Sequence, residues 1–175
     1  MARHIRRLTL TAHVTVSVGW LGAVASFLVL SVIGLLAQNE QTMRAAYLAM
    51  EASGWFVLVP LALASLLTGL VQATGTRWGL FRHYWVVFKL AINVFATVVL
   101  VMYTQTLASL AESAKDPSAD LDAVRRASPV VHAGAALLLL LAATTLGIFK
   151  PRGLTPYGRR KQAEQRTGSQ PVNVP

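Results

Sequence analysis

Residues 8–37 read LTLTAHVTVSVGWLGAVASFLVLSVIGLLA, and the one ionisable side chain among them is His13. A helix needs about 20 apolar residues to cross the hydrocarbon core of a bilayer. This stretch exceeds that. A secretory signal is the competing reading, because Arg3, Arg6 and Arg7 stand before it. The apolar part of such a signal runs only about 7–15 residues, so a retained helix fits better. Three more stretches share this character, at about 47–71, 84–108 and 129–149. The expected fold is all-α, a four-helix transmembrane bundle over 1–153. The basic tail over 154–175 is expected to be mostly disordered, and fully so beyond about Lys161, because it is rich in Gly, Pro, Gln, Arg and Ser.

Composition leads to the same place. The chain is 54% hydrophobic and 13% charged, with mean hydropathy +0.52. A soluble domain carries about 25% charged residues, so this chain has too few polar groups to cover a wet surface. The net charge of +9 would suit nucleic acid. However, the cations flank apolar segments instead of forming one basic face, so the expected partner is the lipid bilayer and not nucleic acid. The absence of cysteine removes disulfides, thiolate metal sites, iron–sulfur clusters and covalently attached haem.

The linkers differ. Residues 38–46 form a short polar turn, and 74–83 are basic and aromatic. Residues 111–128 are the longest connection. Within them Asp116-Pro117 reads as a helix cap followed by proline at the first helical position, predicting a short surface helix over about 117–127. Pro60 falls inside the second span, where a membrane bundle tolerates it as a kink.

Lys and Arg set the orientation. Eleven of the sixteen lie in the N-terminus, the second linker and the tail, which share one side of a four-span topology. Arg44, Lys115, Arg125 and Arg126 lie on the other, and Lys89 lies within a span. Six of the seven acidic residues fall on the cation-poor side. The positive-inside rule then predicts both termini in the cytoplasm. Trp78, Phe81, Tyr84 and Trp85 gather where the third span meets that inner interface, and they read as anchors. Small residues four apart, such as Gly22/Ser26, Gly19/Ala23, Ser65/Gly69 and Ala143/Gly147, predict close helix approach. They also leave room for a homo-oligomer or a membrane-protein partner.

Ionisable groups are costly in lipid, so each raises a functional question. His13 lies roughly 7 Å inside the inner boundary, counting 1.5 Å per residue from Leu8. His83 sits near the same boundary on the third helix, and His132 lies near the opposite one. His13 and His83 can therefore serve as axial ligands of one b-type haem, with Arg6, Arg7 and Arg82 placed to pair with its propionates. Gly19 and Gly22 would make room for the flat macrocycle. The plainer reading has His13 bonded to a helix backbone group or a hydroxyl such as Thr9 or Ser17, and His83 at the interface. His132 is a further metal or haem candidate, with Met43, Met50 or Met102 at matching depth, and otherwise an interfacial cap. Lys89 can snorkel to the interface. It can also line a polar pocket with Asn93, which is four residues on and so on one face. Glu51 is either interfacial or a proton or cation site.

The run His13-Val-Thr-Val-Ser-Val-Gly-Trp20-Leu-Gly22-Ala resembles the first helix of a broad group of small membrane proteins, in which a histidine precedes Trp-x-Gly. That group includes the copper-resistance D type and the HemJ-type protoporphyrinogen oxidases. The segments Arg82-His-Tyr-Trp-Val-Val-Phe-Lys89 and Gly153-Leu-Thr-Pro-Tyr-Gly158 resemble a narrower family of uncharacterised four-helix membrane proteins of high-GC bacteria. The wider resemblance implies haem or copper handling, with His13 as a haem ligand. HemJ-type enzymes pair that histidine with a basic residue on a later helix, to which Lys89 can correspond. Copper-resistance D proteins have more helices and more metal-binding Met and His. The leading functional expectation is a haem-b-binding redox or haem-handling protein. A non-catalytic scaffold subunit and a small transporter using Glu51 and Lys89 stand beside it.

Overall fold

The computed structural model of the chain describes residues 3–75, 79–121 and 125–167. They form helices Arg3–Leu36 (α1), Glu40–Gly75 (α2), Tyr84–Lys115 (α3), Ser128–Phe149 (α4) and Pro156–Thr167 (α5). No strand occurs among these residues beyond one isolated bridge between His83 and Leu154. Helices α1 to α4 are each long and apolar enough to cross a membrane, and the protein is a multi-pass membrane protein of the all-α class. Both α1 and α3 pack against α2 and α4, and they face each other across the diagonal of the bundle.

The polarity of the bundle is turned inside out relative to a soluble protein. Phe56 is 82% exposed and Leu138 70% exposed, whereas His13, Ser31, Ser65, Asn93, Thr97 and Thr104 are buried. Lipid tails are as apolar as leucine, so an outward Leu or Phe costs nothing there. Polar groups instead find partners only within the bundle. The packed core lies largely toward the α1–α2 turn, built from Trp20, Phe27, Met43, Tyr47, Met50 and Leu107.

The helices outrun their apolar stretches. The first begins at Arg3 instead of Leu8, and the third continues past Ala108 to Lys115. Hydropathy sets where lipid ends, but backbone hydrogen bonding continues into the interface. Pro60 has a specific effect. Residues Gly54–Leu58 form a π-helical turn, in which the Val59 N–H bonds back to the Gly54 carbonyl. Proline lacks an N–H and crowds the carbonyl four residues earlier. The wider turn just before it takes up that mismatch, a recognised cause of bends in helices.

Two cations on the cation-poor side cap helices. Arg44 donates to the carbonyls of Ala114 (2.9 Å) and Asp116 at the end of α3. Arg125 donates to the carbonyls of Leu35 and Ala37 (3.0 Å) at the end of α1. Helix C-termini carry unpaired carbonyls and a partial negative charge, so a guanidinium is favoured there. Asn39 does the opposite job at the start of α2, its side chain accepting from the Thr42 N–H at 2.8 Å.

The sequence-based expectations are corrected at two places. The tail does not lose its structure at Lys161, because α5 runs to Thr167. Its start is locked by Thr155, whose hydroxyl donates to the Phe81 carbonyl and accepts from the Gly158 N–H (3.0 Å). The Thr155 N–H donates to the Arg82 carbonyl at 3.0 Å. Thr155-Pro156 is thus an N-cap with proline at the first helical position, a signal outweighed by composition when the tail was read as disordered. At Asp116-Pro117, residues 117–120 form a turn and not a helix: the Asp116 carboxylate accepts from the Ser118 hydroxyl (2.7 Å) and the Ser118 N–H (2.8 Å). Residues 122–124 of the expected surface helix, and the anchor Trp78 with Arg77, lie outside the described residues.

A histidine–lysine pair between four helices as candidate functional site

His13 is 7% exposed, on the face of α1 that looks into the bundle. Its Nδ1 lies 3.0 Å from the Thr68 hydroxyl of α2, and its Nε2 lies 3.5 Å from the Lys89 ammonium of α3. Small residues make the space. A Cβ at Gly69 would stand 3.1 Å from the imidazole, and one at Gly147 of α4 would stand 3.2 Å from Lys89 Nζ. Ser65 pairs hydroxyl to hydroxyl with Ser17 at 2.9 Å. The Ser65/Gly69 and Ala143/Gly147 pairs therefore face inward, whereas Gly22 and Ser26 are exposed.

The hydrogen bonds assign the protons. Thr68 donates to the Ala64 carbonyl at 2.7 Å, so its oxygen accepts from His13 Nδ1–H. Nε2 is then the acceptor facing Lys89. The result is a continuous chain, Lys89 to His13 to Thr68 to the α2 backbone. Two full positive charges 3.5 Å apart would repel by roughly 5 kcal/mol at an effective dielectric of 20. The pair is therefore kept from carrying both charges at once. Asn93 donates to the Lys89 carbonyl at 3.0 Å, and Thr97 donates to the Asn93 carbonyl at 2.7 Å. These residues continue a buried polar stripe along α3.

The other sequence candidates lie elsewhere. His83 occupies the N-cap position of α3, six residues before Lys89 and roughly 9 Å nearer the end of the bundle. Its backbone neighbours hold the tail through Gly153, Leu154 and Thr155. Arg82 contributes the carbonyl that anchors Thr155, while Arg6 and Arg7 lie exposed in the first turns of α1. The two segments that carry the narrower resemblance, 82–89 and 153–158, thus meet each other. Glu51 lies within electrostatic reach of Lys115, which is roughly 39 Å along α3 from Lys89. Glu51 and Lys89 do not share a site.

His132 sits in the first two turns of α4. Its Nδ1 donates to the Ser128 carbonyl at 2.9 Å, and its ring stacks on Tyr103 with centroids 4.1 Å apart. Tyr103 in turn shares a 2.9 Å hydrogen bond with Ser128. His132 borders an apolar cavity of about 380 Å³ between α3 and α4, closed from the other side by Val24 and Phe27 of α1 and Leu58 of α2, and no methionine lines it. Met43 and Met50 are buried in the core and Met102 is exposed. Among the described residues no three His, Cys, Asp or Glu side chains gather as metal ligands.

Depth could have suggested the pair, since His13 and Lys89 each stand five residues into their apolar stretches, yet the same depth count matched His13 with His83 instead. Thr68 carried no signal that would single it out, and Ser65 and Trp20 stood out only as a small-residue position and as part of the Trp-x-Gly motif. No family model, curated protein or solved structure matches the chain.

Proposed function

We propose that this chain is a small protein of a bacterial cytoplasmic membrane in which His13 and Lys89 form a buried acid–base couple. The couple takes up or delivers a proton as a membrane-borne reactant is oxidised or reduced. The class is the redox or haem-handling one implied by the HemJ-type resemblance. The observation that carries the reading is the 3.5 Å approach of Lys89 to the first-helix histidine, because such enzymes pair that histidine with a base on a later helix. Two bases that cannot both be charged can pass a single proton between them, an arrangement suited to acid–base centres.

A haem b resident on His13 does not fit this packing. Both ring nitrogens are engaged, and the cavity beside Lys89 measures about 20 Å³. Of the two glycines expected to make room for a macrocycle, Gly19 packs on Leu61, 3.7 Å from where its Cβ would stand, and Gly22 is exposed with nothing within 4 Å, while Gly69 and Gly147 are filled by the pair itself. The acid–base reading therefore routes nothing through a bound haem.

Two experiments test the proposal. Expression in cells that lack their own protoporphyrinogen oxidase is expected to restore growth, and His13→Gln or Lys89→Met is expected to abolish rescue at normal protein levels. Vector-level growth with a well-folded protein in the membrane removes the haem-handling class. A reduced-minus-oxidised absorption spectrum of the purified protein is expected to show no b-type band that His13→Ala deletes. Such a band would return His13 to the role of ligand. The orientation, cytoplasmic at both ends, rests on the cation bias of the two sides and is sharpened by Arg44 and Arg125 being used as helix caps. The chain has no cysteine, so Ser118→Cys should react with an impermeant maleimide in intact cells while Ala163→Cys stays protected. The reverse pattern inverts the topology.

A further inference from the structure

Lys89 also borders a cavity of about 20 Å³ together with Ser17 and Trp20 of α1, Ser65 of α2, Asn93 of α3 and Thr144 of α4. That volume admits one water-sized body, for which about 10–15 Å³ is enough. The chemistry of the wall is lopsided. It offers an ammonium, the Ser17 and Ser65 hydroxyls and an indole N–H, whereas the Thr144 hydroxyl already donates to the Leu140 carbonyl at 2.8 Å, and no carboxylate lines it. Trp20 is 2% exposed, and its Nε1–H finds no acceptor among the described residues. Indole nitrogen is only a donor, so this proton needs a guest to receive it. Ser17 and Ser65 share a single hydrogen bond of 2.9 Å, which uses one of their two hydroxyl protons and leaves the other.

We infer that this cavity binds a small monovalent anion, chloride in the first instance, held by the Lys89 ammonium, the Trp20 indole N–H and the Ser17/Ser65 hydroxyls. A water there would accept from the same donors, yet it would leave a half-buried cation without a counter-charge in a part of the bundle that has no acid. Buried charges in low-dielectric surroundings are found paired. The inference shares Lys89 with the acid–base reading but not His13, which does not line the cavity, so His13 variants tell the two apart.

The test is chloride-35 NMR line broadening on the full chain in detergent, titrated at constant ionic strength with gluconate as the inert anion. Wild type should show saturable excess broadening that bromide competes away, and a thermal midpoint that rises by a few degrees as chloride saturates. Trp20→Phe should cut the broadening severalfold, and Lys89→Met should abolish it. His13→Gln should retain it, even where that variant loses every sign of acid–base activity. Should Lys89→Met fail to fold, Trp20→Phe and Ser17→Ala carry the test, since each removes one donor and leaves the charge in place. Wild-type broadening no greater than that of an empty micelle means that water fills the cavity, and overturns the inference. Broadening lost in His13→Gln but kept in Trp20→Phe moves the anion onto the pair and overturns it as well.

Discussion

Replacing Lys89 by methionine separates a lysine kept for chemistry from one kept for stability. Methionine approximates the length of the stem and removes the ammonium. Three terms decide the outcome. The Nζ···Nε2 contact is 3.5 Å, long for a hydrogen bond, so its loss costs at most about 1 kcal/mol. His13 Nε2 is left without a donor, which costs about 1 kcal/mol more unless Ser17 or a water moves in. Against these, a lysine at the centre of a spanning helix carries a penalty of about 3 kcal/mol. Lys89 stands roughly 7 Å past Tyr84, part-way to that depth, so about half is relieved. The terms nearly cancel, and Lys89→Met should lie within about 1 kcal/mol of wild type. The assay is reversible unfolding in mixed micelles at rising SDS fraction, read by tryptophan fluorescence in gluconate buffer so that any bound chloride is held out. Met43→Ala, at a 1% exposed core position, gives the scale with an expected loss of about 2–5 kcal/mol. Lys89→Met falling as far as Met43→Ala would refute the reasoning, and Lys89 would be a structural residue.

Other outcomes follow from the same geometry. Gly158→Ala drives a Cβ into the Arg82 carbonyl, so α5 should leave its seat. Trypsin should then cut at Arg159 and Arg160 at least severalfold faster while the bundle's unfolding midpoint holds, and unchanged cleavage would mean that the tail is not seated there. Arg125→Ala strips the donors from the Leu35 and Ala37 carbonyls. A loss of about 1–3 kcal/mol is expected, against about 0.5 kcal/mol or less for the exposed Arg126→Ala; equal effects would deny the capping role. The Ser118 hydroxyl and, secondarily, its backbone N–H hold the Asp116 carboxyl below the usual carboxylate range. Its contribution is therefore complete above the unfolded value and lost as pH falls through the lower folded one. The Ser118 amide shift should titrate below about pH 3.9, the ordinary aspartate value, and a midpoint at or above it contradicts the turn.

Several features were legible in the chain before any tertiary contact was known. Thirty residues with one ionisable group admit few readings other than a membrane span, because the length needed to cross lipid is set by the bilayer. The same holds for the other three spans and for the bias of charge between their ends. Even the depth of His13 and Lys89 could be counted. Helix ends were read too short at Ala108 and in the tail, because hydropathy marks the edge of lipid and not the edge of backbone hydrogen bonding.

Which polar groups meet was a different matter. His13 and His83 were the natural pair on residue type, yet Lys89 is the residue that reaches the imidazole across 76 positions of sequence. Depth is a one-dimensional quantity, fixed locally by counting residues from a boundary. A contact also needs the rotation of each helix about its axis and the order of helices around the bundle. Those depend on every small residue at every interface at once, as Gly69 against His13 and Gly147 against Lys89 make plain. The sequence alone determined how many times the chain crosses and how deep each group lies; only the packing of four helices decided that a histidine and a lysine meet, because facing is a property of surfaces brought together and not of any one segment.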